Sequence, residues 1–189
     1  MTDFHLRHLP HLYAIDHPIF ITWRLFGSLP SGRAFLDNRP SGRAFVAMDR
    51  LLDRAVAGPT HLRRPEIAGM VVDAIRFRHP ARYELHSFVV MPNHVHMLVT
   101  PHVPVSKCMQ SLKRFTAREA NRILGLTGQP FWQDESYDRL VRDEREFEKI
   151  IRYVETNPVT AGLAKDPAEY QWSSLWPISN RPQVANLPH

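Results

Sequence analysis

The hydrophobic and polar positions of the chain repeat with the periods of both strands and helices. Segments of β-branched, aromatic or alternating residues predict strands over residues 19–26, 83–90 and 94–99, and a short strand within 131–140. Apolar residues spaced three and four apart predict helices over residues 44–57, 65–77, 105–124 and 143–156. The chain therefore mixes strands and helices along its length.

Local signals indicate where several of these elements begin and end. Pro65 stands at the first turn of the second helix, and Met91-Pro92-Asn93 predicts a turn that pairs two strands as a hairpin. Asp143 can cap the last helix, and we expect Asn157-Pro158 to end it. The order of elements predicts an α+β, ferredoxin-like sandwich, with an antiparallel sheet and helices packed on one face.

Composition and charge limit the class of protein. Of 189 residues, 43% are hydrophobic and 23% are charged, which is typical of a folded domain with a core. We expect an N-terminal arm over 1–18, one domain over 19–176 and a tail over 177–189, with irregular structure after Pro167. The net charge of +5 favours a polyanionic partner, with nucleic acid first.

Compartment signals are few. The single cysteine, Cys108, cannot form an intramolecular disulfide, so nothing indicates an oxidising compartment. No apolar segment has the length of a signal peptide core or a membrane span. We expect a cytoplasmic protein with no membrane partner.

Two histidines of the predicted hairpin are candidates for chemistry. His94 and His96 are two residues apart in a strand, so their imidazoles point to the same face while Val95 faces the other way. Neighbouring imidazoles can hold a divalent metal if a further ligand arrives. Taken alone, the His-x-His pattern also occurs where both histidines have a structural role and bind no metal.

The last helix offers two further candidates. Tyr153 and Asn157 are four residues apart and flank its apolar stripe, where side chains can line a cleft. The amide oxygen of Asn157 could serve as a third metal ligand, which would place Tyr153 beside the metal. On spacing alone, an aromatic at the core edge and an asparagine at a helix end remain alternative interpretations.

The hairpin sequence Met91-Pro92-Asn93-His94-Val95-His96 resembles the MPNHxH signature of the IS200-like, HUH-type tyrosine transposases. Further resemblances to this family are spread over residues 18–176. Residues 111–116 resemble the family's basic helix, and residues 131–143 resemble its W-Q…Y-D…R-D segment. Residues 152–163 resemble its RYIxxNPVxAGL stretch, and residues 172–174 resemble its W-x-x-SS ending. The NPVxAGL ending is similar to that of the REP-associated branch.

The resemblance implies a role for each candidate residue. His94 and His96 match the metal-binding histidines, Tyr153 matches the nucleophile, and Asn157 stands where insertion-sequence members carry a metal-binding glutamine. Tyr137 is a rival nucleophile. The implied activity is cutting and rejoining of single-stranded DNA at hairpin-flanked sites through a covalent phosphotyrosine, assisted by Mg²⁺ or Mn²⁺. Cleavage would leave a 5′-phosphotyrosine and a free 3′-OH.

Basic and aromatic residues are the candidates for DNA contact. The helix over 105–124 carries a basic face, and two aromatics could stack on unpaired bases. The predicted DNA-binding residues are Lys107, Lys113, Arg114, Arg118, Arg122, Trp132 and Tyr137. The expected partner is single-stranded DNA with REP-like hairpins, bound by a monomer in preference to a homodimer.

Three other functions are compatible with parts of the pattern. A non-catalytic protein on the same scaffold would bind DNA hairpins without forming an adduct. A metal-dependent hydrolase would use His94 and His96 to activate water. An RNA-binding protein of ferredoxin-like fold would typically carry aromatics on its central strands, where this hairpin carries histidines.

Overall fold

The computed structural model describes residues 15–29, 49–53 and 58–177. Residues 49–53 are helical and belong to the predicted helix 44–57, whose other residues lie outside the described ranges, as do residues 1–14 of the predicted arm and 178–189 of the predicted tail. Within the described ranges, no helix combines the length and the apolar character that crossing a membrane requires.

The described elements form one sheet and three longer helices. The strands are β1 (Ile19–Arg24), β2 (Tyr83–Val90), β3 (His94–Pro101) and β4 (Tyr137–Leu140). The helices are α1 (Pro65–Phe77), α2 (Val105–Leu124) and α3 (Glu144–Thr160). The sheet order is β2-β3-β1-β4 with every neighbouring pair antiparallel. This order confirms the predicted α+β fold, since one helix follows β1 and another follows the β2–β3 hairpin, as in a ferredoxin-like sandwich.

The sheet has an apolar core on each face. On one face, Ile21, Trp23 and Met97 pack with α1 and α2. On the other face, Phe20 and Leu98 pack with α3. Strand side chains alternate between the faces, so each strand supplies both cores. The predicted packing of helices on one face therefore holds for α1 and α2, but α3 is an additional helix on the opposite face, the face of His94 and His96, which the prediction did not include.

Helix α3 is longer than the sequence predicted. Asp143 caps it as expected, accepting the backbone N–H of Glu146 at 2.7 Å. The prediction that Asn157-Pro158 ends the helix is wrong, because the helix continues to Thr160. Proline in the last turn removes only one donor, and the N–H of Ala161 still reaches the carbonyl of Asn157 at 2.9 Å. Asn157 is thus held inside the helix, one turn after Tyr153.

The C-terminal segment closes the outer edge of the sheet, where irregular structure was expected. The backbone N–H of Val90 donates to the carbonyl of Trp172, and that of Ser174 donates to Phe88, both at 2.9 Å. Residues 172–174 thereby pair with the free edge of β2. The Trp172 ring also lies against Gly69 of α1, where an added Cβ would lie 3.6 Å from the ring. The segment thus joins α1 to the sheet.

Candidate metal and tyrosine site

Two buried imidazoles face each other at the start of β3. His94 and His96 are fully buried, and their Nε2 atoms are 3.0 Å apart. The other nitrogen of each ring has a polar partner: His94 Nδ1 lies 2.7 Å from Asn93 Oδ1, and His96 Nδ1 lies 2.7 Å from Thr22 Oγ1. These contacts fix both rings with Nε2 turned towards a common point. The predicted pairing of the two histidines on one face is therefore present.

Asp49, from the helical segment 49–53, completes a three-residue cluster. Its Oδ1 lies 3.1 Å from His96 Nε2 and 3.6 Å from His94 Nε2. One ligand atom from each of the three residues lies within 4.8 Å of the others, and all three are buried. Apart from the imidazole nitrogens, Asp49 Oδ1 has no hydrogen-bond donor among the described residues. A buried acceptor without a donor costs free energy, which a bound cation would recover.

Helix α3 brings Tyr153 and Asn157 to the second oxygen of the same carboxylate. The Tyr153 hydroxyl donates a hydrogen bond to Asp49 Oδ2, and Asn157 Nδ2 donates to that oxygen at 3.3 Å. The Tyr153 ring lies edge-on to His96, with centroids 5.5 Å apart, and to Phe20 at 6.1 Å. The tyrosine is therefore adjacent to the histidine pair, as its spacing from Asn157 suggested.

Burial and neighbouring charges set the protonation of the cluster. Burial, followed by the neighbouring His96, lowers the pKa of His94 to about 3, so its imidazole is neutral at pH 7 and keeps a lone pair for a metal. Burial acts to raise the pKa of Asp49, but His96, His94 and the Asn157 amide outweigh it and hold the pKa below its usual value. Asp49 is therefore a carboxylate at pH 7.

A second carboxyl lies one helical turn after Asp49. Asp53 Oδ1 is 3.8 Å from His94 Nε2 and is buried without a hydrogen-bond donor among the described residues. Burial, followed by the charge of Asp49, raises the pKa of Asp53 to about 7. Two carboxyl groups this close repel each other when both are ionised, and a divalent cation would relieve that repulsion.

The donor set fits a divalent metal. Neutral imidazole nitrogens and carboxylate oxygens suit first-row divalent ions, and the carboxylates also suit Mg²⁺. Sequence reasoning expected Asn157 beside His94 and His96. The structure gathers Asp49 with the histidines instead and has Asn157 donate to Asp49, while the Asn157 amide oxygen is buried with no donor among the described residues. The sequence signal for Asp49 was its spacing of four from Asp53, which places both carboxyls on one face of a helix.

The rival tyrosine lies on the edge strand β4. Tyr137 pairs opposite Thr22, and its ring is edge-on to Phe20 with centroids 6.4 Å apart. Burial raises the pKa of Tyr137, although a hydrogen bond and charge from Arg139 oppose that rise. Tyr153, by contrast, donates directly to the carboxylate of the metal-type cluster. The geometry thus favours Tyr153 of the two.

The prediction that Trp132 stacks on DNA bases does not fit its position in the structure. It is only 5% exposed, its indole packs edge-on against Trp23, and its Nε1–H donates to Thr116 Oγ1 at 2.9 Å. The ring therefore belongs to the core between the sheet and α2. A base has no free face of Trp132 to stack on, because that face is covered by protein.

The basic residues of α2 fall into three environments. Lys107 and Arg114 are exposed on its outer surface. Arg118 and Arg122 are also exposed, and both pair with Glu119, at 2.9 and 3.2 Å. Lys113 is half-buried and donates to the backbone carbonyls of Gln133 and Asp134, at 2.7 and 2.8 Å. Lys113 therefore anchors the segment before β4, and DNA contact by the other four stays a prediction.

The chain is similar to transposases, both to a family model in sequence and to a solved structure in fold. Residues 76–157 match the family model described as "Transposase IS200 like". A solved structure of a REP-associated tyrosine transposase bound to a REP hairpin is 16% identical and has a TM-score of 0.56, covering 99% of this chain and 95% of that one. A candidate transposase from Deinococcus radiodurans is 17% identical with a TM-score of 0.43, covering 79% and 96%. No curated protein matches the chain. The matched segment 76–157 contains both histidines, Tyr153 and Asn157.

Proposed function

We propose that the chain is a transposase of the IS200-like family, whose model matches residues 76–157, and that it cuts and rejoins single-stranded DNA through a covalent bond to Tyr153, assisted by Mg²⁺ or Mn²⁺. One observation carries the proposal: the Tyr153 hydroxyl donates to Asp49, whose other oxygen faces His94 and His96. A nucleophile and a metal-type cluster thus share one carboxylate. That arrangement is what metal-assisted attack on a phosphodiester needs.

The three clustered residues would hold the cation. His94 and His96 would contribute Nε2, and Asp49 would contribute Oδ1. Asn157 is a further ligand candidate, because its side chain contacts Asp49 and its buried amide oxygen has no donor among the described residues. When bound, a divalent cation polarises the scissile phosphate and offsets the negative charge that develops on it. Three protein ligands leave room for a phosphate oxygen and water.

Asp49 provides the proton acceptor that a tyrosine nucleophile requires. A free tyrosine has a pKa near 10 and is protonated at neutral pH. Because Asp49 is ionised and its Oδ2 already accepts the Tyr153 hydrogen bond, this oxygen can take the proton as the phenolic oxygen attacks. Asn157, which donates to the same oxygen, keeps the carboxylate in position.

The proposed step conserves bonds and charge. The Tyr153 oxygen forms a bond to phosphorus while the bond from phosphorus to the 3′ oxygen of the preceding nucleotide breaks. That oxygen takes a proton from water and leaves as a free 3′-OH, the hydroxide formed takes up the proton that Asp49 received from Tyr153, and the DNA 5′ phosphate stays on the tyrosine. Since a phosphodiester is exchanged for another phosphodiester, the reverse attack by a 3′-OH rejoins DNA without an external energy source.

The proposed substrate is single-stranded DNA flanked by a hairpin. The solved REP-associated relative is bound to a REP hairpin, and the net charge of +5 suits a polyanionic partner. Exposed Lys107 and Arg114 on α2 are proposed to contact phosphates, and half-buried Tyr137 at the sheet edge is proposed to stack on a base.

The test is a denaturing gel after incubation of the protein with Mn²⁺ and a labelled pool of single-stranded hairpin DNAs. We expect a denaturation-resistant protein–DNA band for the parent and for Tyr137→Phe, and none for Tyr153→Phe. A band that persists in Tyr153→Phe and vanishes in Tyr137→Phe would transfer the nucleophile to Tyr137. Hairpin binding without any band in the parent would establish the binding-only alternative.

A further inference from the structure

Arg24 occupies a position beside the histidine pair that the cluster itself does not use. It is the last residue of β1 and pairs with His94 on β3, while Thr22 pairs with His96. Residues paired across antiparallel strands share a face, with Cβ atoms about 5 Å apart. Phe20, Thr22 and Arg24 therefore form one row on the face of the site. Phe20 stacks on His96, Thr22 contacts His96, and Arg24 stands next to His94.

The guanidinium of Arg24 makes no ion pair within the described part of the chain. Its residue is only partly exposed, and no carboxylate of the described residues lies within ion-pair distance of it. Its one described side-chain hydrogen bond goes to Ser28 Oγ at 3.3 Å, from Nη1. Burial lowers the pKa of Arg24, and the more distant Glu135 opposes that shift.

A half-buried arginine with most of its donors unused is suited to an anion. The guanidinium presents five N–H donors in a planar fork that matches the oxygens of a phosphate. Arginines that stabilise the fold of this chain have partners instead: Arg139 and Arg142 both pair with Glu146, and Arg78 donates to backbone carbonyls. Arg24 therefore differs from them in having donors left for a ligand.

We propose that Arg24 binds a phosphate of the DNA strand at or directly beside the linkage that Tyr153 attacks. This inference rests on the proposed function, because it assumes that DNA reaches the histidine face of the sheet. Arg24 on β1 would then hold the strand next to His94 on β3, which is one of the proposed metal ligands, and the phosphate would pair with a guanidinium that makes no ion pair with the described residues. Arg24 would position the strand without contacting the nucleophile.

The test separates this phosphate from all others by a methylphosphonate scan. The probe is the hairpin oligonucleotide with a single-stranded flank that the parent retains most strongly from a pool with a randomised flank, selected in EDTA so that no cleavage occurs. Each flank linkage is replaced in turn by an uncharged methylphosphonate. Dissociation constants are measured in EDTA for the parent, Arg24→Gln, Arg24→Lys and the control Arg145→Ala, which removes an exposed arginine from the first turn of α3.

We expect one linkage whose neutralisation weakens the parent about tenfold, a cost of about 1.4 kcal/mol. Arg24→Gln should bind the unmodified probe about tenfold more weakly and be insensitive at that linkage, while Arg24→Lys keeps part of the sensitivity. Arg145→Ala should keep the parent pattern. When Mn²⁺ is added to the parent, the linkage cleaved should be the one at which Arg24→Gln is insensitive, or its direct neighbour.

Two results would overturn the inference, and each differs from failure of the proposed function. If Arg24→Gln keeps the parent pattern, Arg24 contacts no phosphate. If Arg24→Gln loses affinity equally for every probe, the role of Arg24 is in folding, and a lower thermal unfolding midpoint of the variant would show this directly. A parent that binds no hairpin, or that binds but never forms an adduct, would count against the proposed function itself.

Discussion

Tyr153 and Asp49, 104 positions apart in the chain, are joined by a hydrogen bond in which the phenol donates to Oδ2 of the carboxylate. The other oxygen of Asp49 lies 3.1 Å from His96 Nε2. A single side chain thus connects the proposed nucleophile on α3 to the histidines on β3. Moving or neutralising that carboxylate should affect the tyrosine and the metal together.

The first prediction is that Asp49→Asn abolishes adduct formation. An amide cannot take the tyrosine proton and is a weaker metal ligand than a carboxylate, so we expect adduct yield to fall by a factor of about 10²–10⁴. The readout is single-turnover adduct formation with Mn²⁺, with Mn²⁺ affinity measured separately by calorimetry. Glu148→Gln, an exposed acid on α3, is the control. Normal adduct formation by Asp49→Asn would remove Asp49 from the mechanism.

Thr22 gives a second prediction, about the orientation of a metal-binding histidine. Thr22 Oγ1 lies 2.7 Å from His96 Nδ1, so Thr22→Val should free the ring and lower Mn²⁺ affinity about 10- to 100-fold. The chain offers a matched control in Thr100→Val, which removes a similar contact of 2.8 Å to His86 Nε2 elsewhere on the same sheet. Equal Mn²⁺ affinity in both variants would mean that the Thr22 contact does not orient His96.

Much of the fold follows from periodicity. The helices Pro65–Phe77 and Val105–Leu124 and the strand Tyr83–Val90 have the predicted bounds, because their apolar positions keep one period throughout and proline or glycine marks an end. The sequence could not show that α3 continues through Pro158, since an Asn-Pro pair usually ends a helix before the proline, whereas here the hydrogen bond from Ala161 to the carbonyl of Asn157 continues the helix beyond it.

The site was partly predictable for a different reason. His94 and His96 are two residues apart in a strand, and Tyr153 and Asn157 are four residues apart in a helix. Each spacing places the two side chains of the pair on one face, so both pairs could be predicted. The spacing of four between Asp49 and Asp53 predicts two carboxyls on one helix face, but only tertiary packing of the segment 49–53 brings that face to the histidines, and no local pattern shows it. Trp132 shows the converse limit, because an aromatic beside basic residues has the same local pattern whether it is buried or exposed.

The third prediction concerns the coupling between Asn157 and the metal. Asn157→Asp would place a second carboxylate near Asp49 Oδ2, which the Asn157 amide approaches to 3.3 Å. Without metal, we expect a lower thermal unfolding midpoint because the two charges repel. Mn²⁺ at about 100 times its dissociation constant should raise the free energy of unfolding of this variant by about 2.7 kcal/mol.

Asn121→Asp is the control for that measurement. Asn121 is also a buried asparagine, with Nδ2 donating to the carbonyl of Gln129 and with a buried amide oxygen that has no donor among the described residues. Its variant should be destabilised as well, but Mn²⁺, which still binds at the intact cluster, should stabilise it only as much as it stabilises the parent. Asn157→Asp should gain more than the parent at the same Mn²⁺ concentration, and an equal gain for both variants would contradict a metal position beside Asn157.

Trp132 supports a fourth prediction, on stability in place of DNA binding. Trp132→Phe removes the Nε1–H bond to Thr116 and part of the buried ring, so the free energy of unfolding should fall by about 1–3 kcal/mol. Hairpin affinity should change by less than about twofold at a temperature where the variant is folded. A large loss of affinity with unchanged stability would reinstate Trp132 as a stacking residue.

The fifth prediction distinguishes phosphate contacts from structural lysines on α2. Arg114→Ala or Lys107→Ala should each weaken hairpin binding and reduce the slope of log affinity against log salt by about 0.7–0.9, the value for one lost phosphate contact. Lys113→Met should instead lower the unfolding midpoint with the slope unchanged, because its ammonium group donates to the carbonyls of Gln133 and Asp134. Binding isotherms between about 50 and 200 mM salt measure the slope. A reduced slope for Lys113→Met would place DNA at the segment before β4, and unchanged slopes for Lys107 and Arg114 would move the DNA interface away from α2.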